Sequence, residues 1–339
     1  MARLQSTNVT GSLGISGSFL TLPSFTNDQT GSLIAGGVGQ WWFNSTTNKI
    51  NYTYINPLPP VWSAGGALIT AIDRLAGAGT QNAGLAFGGT SNTATESCTE
   101  EYNGSSWSAG GALITARFVL AGTGEQNSGL AFGGSVFGAA SCTEEYNGSS
   151  WSSGGALSTA RYLLAGAGTQ NSGLAFGGAG AGLSCTEEYN GSSWSAGGAL
   201  ITGRNSLAGA GTQNEALAFG GFNSPSTFRS CTEEYNGSSW SSGGALSTAR
   251  YNLAGAGTQN SGIAFGGSIP PGTSTNITEG YNGISWSSCN NLIIARRCLA
   301  GAGTQNEALA FGGENLSLIR VSCTEEFNSG ASSIQVGSL

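Results

Sequence analysis

The chain has 339 residues, 39% of them hydrophobic, with 58 glycines, 7 prolines and only 9% charged residues, a balance too apolar for a disordered chain and too Gly-rich for a helical one. A net charge of -7 with Lys49 as the single lysine leaves no basic surface to neutralise phosphates, which excludes nucleic acid as a partner. No run approaches the roughly 20 continuous apolar residues that a membrane helix needs, so no membrane insertion is expected.

Residues 1–57 differ from everything after them. MARLQSTNVTGSLGISGSFL has an Arg, but Gly and Ser interrupt its apolar residues, so it lacks the apolar core of a signal peptide. TGSLGISGSFL and TGSLIAGGVGQWWFN alternate as short strands with tight turns do, STTNKINYTYI follows, and Pro57 to Pro60 reads as a stiff linker. The segment has too few apolar residues for a core of its own and is expected to fold against copies of itself or a larger assembly.

From Trp62 to Asn328 one unit recurs. Its Trp stands at 62, 107, 151, 194, 240 and 286, in steps of 45, 44, 43, 46 and 46, and the Phe of its FGG triplet, from Phe87 to Phe311, follows the same steps. Between each Gly-Gly and the following Cys (Ile277 in the fifth copy) lie 8, 7, 6, 9, 9 and 9 residues. All variation in length therefore sits in one loop per unit, and those loops share almost no residues.

Each unit reads as four strands. In one copy these are a first strand at Ala160 to Gln170, then Ser172 to Gly178, Cys185 to Asn190, and SSWSAGG after an Asn-Gly hairpin turn. Four antiparallel strands repeated six times predict an all-β fold, a six-bladed β-propeller of four-stranded blades over 58–339, preceded by the small strand-rich segment 1–57. The strand around Trp62 is expected to complete the last blade and clasp the ring shut; the tail SGASSIQVGSL competes for that place.

The absence of His removes Ser-His-Asp and Cys-His catalysis. Paired glutamates (Glu100/Glu101, Glu144/Glu145, Glu187/Glu188, Glu233/Glu234, Glu325/Glu326) do not read as a catalytic pair because they recur in five units, whereas a catalytic site is made once; one Glu of each pair is expected to face solvent and the other to meet Arg117, Arg161, Arg204, Arg250 or Arg296. The Trp residues are expected to pack between blades, and the NGS triplets to serve as turns. Cys98, Cys142, Cys185, Cys231 and Cys323 share one repeat position, too far apart for disulfides, and are read as small buried residues; without a CxxC pair or His, no metal site and no cofactor are expected. The variable loops all join the second strand to the third and so share one face, where binding specificity is usually carried. Phe137, Phe222, Phe228, Arg229, Ile269, Pro270, Leu316, Leu318 and Arg320 are the candidate ligand-binding residues.

The diglycine of FGG, the Tyr of EEYN and the Trp five residues later, as in Tyr102 and Trp107, resemble the kelch repeat over residues 61 to about 330. GQWWFNSTTNKINYTY is similar to short strand-rich pieces near the start of bacteriophage fibre, tail and head-decoration proteins. These resemblances imply a non-enzymatic virion structural protein, assembled in the host cytoplasm, with residues 1–57 held by other virion proteins as a homo-oligomer, a trimer by analogy with fibres. The propeller would then adhere to host surface polysaccharide or another receptor; a cell-associated lectin or interaction scaffold is the alternative.

Overall fold

In the computed structural model, which describes residues 24–25, 41–44, 49–57, 60–180, 184–223, 227–330 and 332–338, every repeat folds into four antiparallel strands. Blade 2 shows why. Its first strand, Ala121–Glu125, and third, Thr143–Tyr146, flank the second, Ser128–Phe132, and the fourth, Trp151–Ser153, lies outermost. The second strand is buried on both faces from Gly129 to Phe132 because a neighbouring blade covers each side, so it reads as a continuous apolar run rather than an alternating one. Blades 1, 3, 4 and 5 begin at Ala76, Ala165, Ala208 and Ala254 with the same strand order.

Blade 6 takes three strands, Ala300–Gly303, Glu307–Phe311 and Thr324–Asn328, from the end of the repeats and its fourth, Val61–Gly65, from their beginning. Phe327 pairs with Trp62 in that sheet. The clasp is thus made by the Trp62 strand. The tail goes elsewhere: Ser332–Ser338 pairs with Lys49–Pro57, Ile334 opposite Ile55. Trp41–Asn44 pairs along the other edge of Lys49–Pro57, and Ser24–Phe25 runs parallel to Trp41–Asn44. The chain therefore forms two compact units, Pro59–Ser329 and Met1–Leu58 with Gly330–Leu339. The place in blade 6 that the tail would fill is already occupied by Val61–Gly65. Of the N-terminal strands expected from sequence, TGSLGISGSFL lies outside the described residues.

Three side-chain contacts recur between blades. Each Trp ring packs on the FGG Phe of the blade before it, as Trp151 on Phe87 with centroids 4.9 Å apart, and its Nε1 donates to a Thr of that blade, as Trp151 to Thr99 at 2.9 Å. Each hairpin Gln, such as Gln126, donates to two backbone carbonyls of the preceding blade, here Gly84 at 3.1 Å and Tyr102 at 2.6 Å. Each third-strand Tyr donates to the second Glu of the preceding blade, as Tyr146 to Glu101 at 2.6 Å. The second Glu, expected from sequence to be simply solvated, is therefore also held by the neighbouring phenol. Burial and that carboxylate together push the Tyr146 hydroxyl up to about 12.

The seam between blades 5 and 6 replaces this last contact by three matched changes. Gly280 stands where the other blades have the second Glu, and Phe327 stands where they have Tyr. Cys289 stands where they have Gly; a Cβ on the equivalent Gly243 would lie 2.7 Å from the Tyr281 hydroxyl. Without a hydroxyl at 327, the larger Cys289 side chain is accommodated. Phe327→Tyr is accordingly expected to lower stability by about 1–3 kcal/mol, the cost of a buried hydroxyl without a partner. The triple change Gly280→Glu, Cys289→Gly and Phe327→Tyr should recover that loss, read from urea unfolding midpoints.

In blades 2 to 6 the first Glu is buried with an Arg of its own blade, whereas Glu100 of blade 1, expected to meet an Arg as well, has Ile72 at that place. Arg161 Nη2 lies 3.0 Å from Glu187 Oε1 and Arg296 Nη2 3.1 Å from Glu325 Oε1, and Arg117–Glu144, Arg204–Glu233 and Arg250–Glu279 repeat the pair. All five guanidinium groups are fully buried and also cap carbonyls, as Arg161 Nη1 does at Gly177 and Cys185. The cysteines are free and half-buried rather than fully buried, and three of them meet these guanidinium groups: Arg117 Nη1 lies 3.1 Å from Cys142 Sγ, Arg161 Nη1 donates to the Cys185 carbonyl at 2.7 Å, and Arg296 Nη1 lies 2.9 Å from Cys323 Sγ.

Candidate functional site

The first strand starts later than the sequence suggests, at Ala165 rather than Ala160, and the reason defines the site. Leu163 has a positive φ of 56°, which ends extended backbone before the strand begins. The equivalent residues in every blade share it: Arg74, Val119, Ser206, Asn252 and Cys298 have φ between 49° and 55°. Each of the six donates its N–H to the carbonyl of its counterpart in the preceding blade, Val119 to Arg74, Leu163 to Val119, Ser206 to Leu163, Asn252 to Ser206, Cys298 to Asn252 and Arg74 to Cys298, at 2.8–2.9 Å. A closed ring of six backbone hydrogen bonds thus surrounds the propeller axis where the inner strands begin.

The left-handed conformation costs a residue with a side chain about 1–2 kcal/mol, and for β-branched Val119 it is a true outlier. Glycine would avoid the strain, and a chain with 58 glycines uses it freely elsewhere. The FGG pair shows that use: Gly88 and Gly89 have φ of 66° and 97°, and a Cβ on Gly88 would lie 2.7 Å from the Arg117 carbonyl. At the axis, by contrast, six different side chains are held in strained backbone. Strain of this kind that the surrounding structure maintains is a mark of a functional position.

These side chains line a small open pocket of about 100 Å³, floored by Leu75, Leu120, Leu164, Leu207, Leu253 and Leu299. The residue before each one binds the root of a variable loop: Phe118 and Ser135 exchange backbone hydrogen bonds, and so do Asp73 with Thr90, Asn205 with Phe222 and Tyr251 with Ser268. Axial ring and variable loops therefore make one continuous face. Sequence reasoning finds the loops and misses the ring. The signal is present: in RFV, RYL, RNS, RYN and RRC, the two positions after the constant Arg are among the few in the near-identical cores that change from copy to copy.

The nine expected site residues fall on this face in separate groups. Phe222 and Phe228 are paired across their loop, and with Tyr251 they form an aromatic trio with centroids 5.0–6.0 Å apart. Leu316 and Leu318 are exposed in the blade 6 loop, and Arg320 beside them donates to Asp73 at 2.8 Å and to Asn92 at 3.2 Å, so the loops of blades 6 and 1 are joined. Phe137 is fully exposed at the tip of its loop. Ile269 is half-buried and Pro270 exposed in the fifth loop, and Arg229 is half-buried at the end of the fourth. The structure does not bring these nine into one pocket; the axial ring lies at their centre.

Charge is divided between the two ends of the propeller. Beyond the five buried arginines, the described propeller has Arg74, Arg229, Arg297 and Arg320, and all four are on the variable face. The opposite end, where the first strand turns into the second, has Glu125, Glu215 and Glu307 and, among the described residues, no cation.

Asp73, Cys298 and Glu314 are the one group among the described residues whose ligand atoms, within 4.8 Å of one another, suggest a metal site. Three guanidinium groups already serve its two carboxylates: Arg74 at 3.2 Å and Arg320 at 2.8 Å from Asp73, and Arg297 at 2.6 Å from Glu314. Burial pushes the Cys298 thiol up to about 12, so it keeps its proton. The group is an ion-pair network with excess positive charge, which disfavours a cation.

The chain is thus a six-bladed β-propeller repeat protein with one variable face. A comparison with protein-family models gives no match, and neither does a comparison with curated proteins.

Proposed function

We propose that this propeller, kelch-like in its repeat, is a non-catalytic adhesion module of a bacteriophage particle that recognises a host-surface glycan through the face bearing the axial ring and the variable loops. One observation carries the reading: the contacts that build the scaffold recur from blade to blade, while the most divergent side chains gather on one end, some of them in strained backbone. Rigid scaffolds with variable loops place specificity in this way. The likeness of residues 1–57 to the opening segments of phage fibre, tail and decoration proteins supports attachment to other virion proteins through that segment, as a homo-oligomer.

The test compares the full-length protein with a version having TSNTATES in place of all six loops, on bacterial cells and on their extracted surface polysaccharide. Saturable binding lost in the uniform-loop version is the expected result. Equal binding by both would remove specificity from this face, and absence of the protein from purified virions by mass spectrometry would remove the particle.

A further inference from the structure

We propose that the axial pocket is a subsite for the carboxylate of an acidic sugar, with Arg74 as its anion-binding residue. This deepens the adhesion reading above and rests on it.

Around the ring the six strained positions divide into two arcs. Val119 and Leu163 are adjacent and apolar; Ser206, Asn252, Cys298 and Arg74 follow in order and are polar or cationic. A pyranose has the same division, with apolar C–H faces and a polar rim.

Arg74 is the one cation of the ring. Its side chain is 36% exposed, and its only ion pair among the described residues is Nη1 with Asp73 Oδ2 at 3.2 Å. Asp73 is fully buried and shared: Oδ1 accepts from Arg320 Nε at 2.8 Å and from the Thr90 hydroxyl. One carboxylate therefore holds two guanidinium groups, fixing Arg74 in place without cancelling its charge. Arg297, which precedes Cys298 of the ring, is taken up by Glu314.

Of the five N–H donors of Arg74, those beyond Nη1 have no protein partner among the described residues. A planar fork with free donors matches a carboxylate bidentately. Farther along the polar arc the Asn252 amide suits a sugar hydroxyl, and the Ser206 hydroxyl, which donates to Asn205 Oδ1 at 2.9 Å, is left to accept from one. At about 100 Å³ the pocket takes a carboxylate and the ring edge that bears it, not an oligosaccharide, so the ligand is a chain end or side branch.

The experiment titrates the full-length protein with D-glucuronate, D-glucose and inorganic phosphate by calorimetry or ligand-observed NMR. Saturable binding of D-glucuronate, weakened at least tenfold in Arg74→Gln and unchanged in Glu215→Gln at the opposite end, is expected. Asn252→Asp gives an independent check: Asp tolerates the left-handed backbone and puts a negative charge across from the ligand, so it too should weaken binding. Equal affinity for D-glucose or phosphate, or D-glucuronate binding unaffected by both ring variants, would overturn the proposal. If cells bind the wild type and Arg74→Gln equally but not the uniform-loop version, the carboxylate subsite fails and the adhesion reading stands. If D-glucuronate binds in an Arg74-dependent way and no cells bind, adhesion fails and the pocket stands.

Discussion

Trp62→Ala is expected to cost the propeller about 3–5 kcal/mol, whereas deleting residues 330–339 should leave the propeller's melting temperature unchanged. Trp62 is almost fully buried, its ring 5.1 Å from those of Phe265 and Phe327, and its Nε1 donates to Thr278 at 3.1 Å. It is the same contact set that each other Trp makes, but here the strand that carries it comes from the opposite end of the repeats, more than 200 residues away from Thr278 in sequence. Losing this residue loosens a strand whose departure would expose the edge of Thr324–Asn328 and one side of blade 5. Exposed edges of that kind invite pairing between molecules, so Trp62→Ala should also shift the protein toward larger species in size-exclusion chromatography on mild heating. The tail pairs with Lys49–Pro57 and supplies no blade strand, which is why its removal spares the propeller. A tail deletion that lowers the propeller's transition while Trp62→Ala leaves it in place would reverse the assignment of the clasp.

The blades, their number and the position of the elastic loops were legible because duplication leaves a period that needs no tertiary information. The closing strand was legible for a related reason: the repeats begin with a lone fourth strand and end with a third. The axial ring was not, since nothing in the residue types Arg, Val, Leu, Ser, Asn and Cys announces a left-handed backbone; that conformation is imposed by the hydrogen bond each N–H makes to the preceding blade. The partner of the second Glu was hidden for the same reason. Strand alternation separates the two glutamates of each pair onto opposite faces, but only the blade-to-blade offset places Tyr146 against Glu101 or Tyr189 against Glu145. The departures at Gly280, Cys289 and Phe327 look like three unrelated changes in the sequence. In the fold they meet at one seam, where the closing strand arrives.

Arg204→Ala is expected to lose about 3–5 kcal/mol at pH 7, because it leaves the buried Glu233 carboxylate without its counter-charge and takes the Arg204 donor from the Ala218 carbonyl. Blade 1 already presents a natural version of this state. Ile72 replaces the Arg there, and Glu100, almost fully buried, accepts among the described residues only from the backbone N–H groups of Ile69 and Thr70, at 2.7 and 3.1 Å. Burial raises the Glu100 carboxyl above its ordinary range, against those two N–H groups, which lower it. A group with a raised folded-state pKa contributes stability that is present below its unfolded value, about 4.3 for Glu, and is lost as pH rises through the folded value. Ile72→Arg should therefore stabilise the propeller at pH 7–8 by supplying the guanidinium that the other five blades have, a gain that shrinks as pH falls and the wild-type Glu100 carboxyl, raised by burial, takes up its proton. Thermal unfolding measures both, with Arg204→Ala compared with the wild type at pH 7 and Ile72→Arg compared with it between pH 4 and 8. An Arg204→Ala deficit below about 1 kcal/mol at pH 7 would mean that the buried pair contributes little, and an Ile72→Arg gain that stays constant from pH 8 to pH 4 would mean that packing, and not the Glu100 charge, sets it.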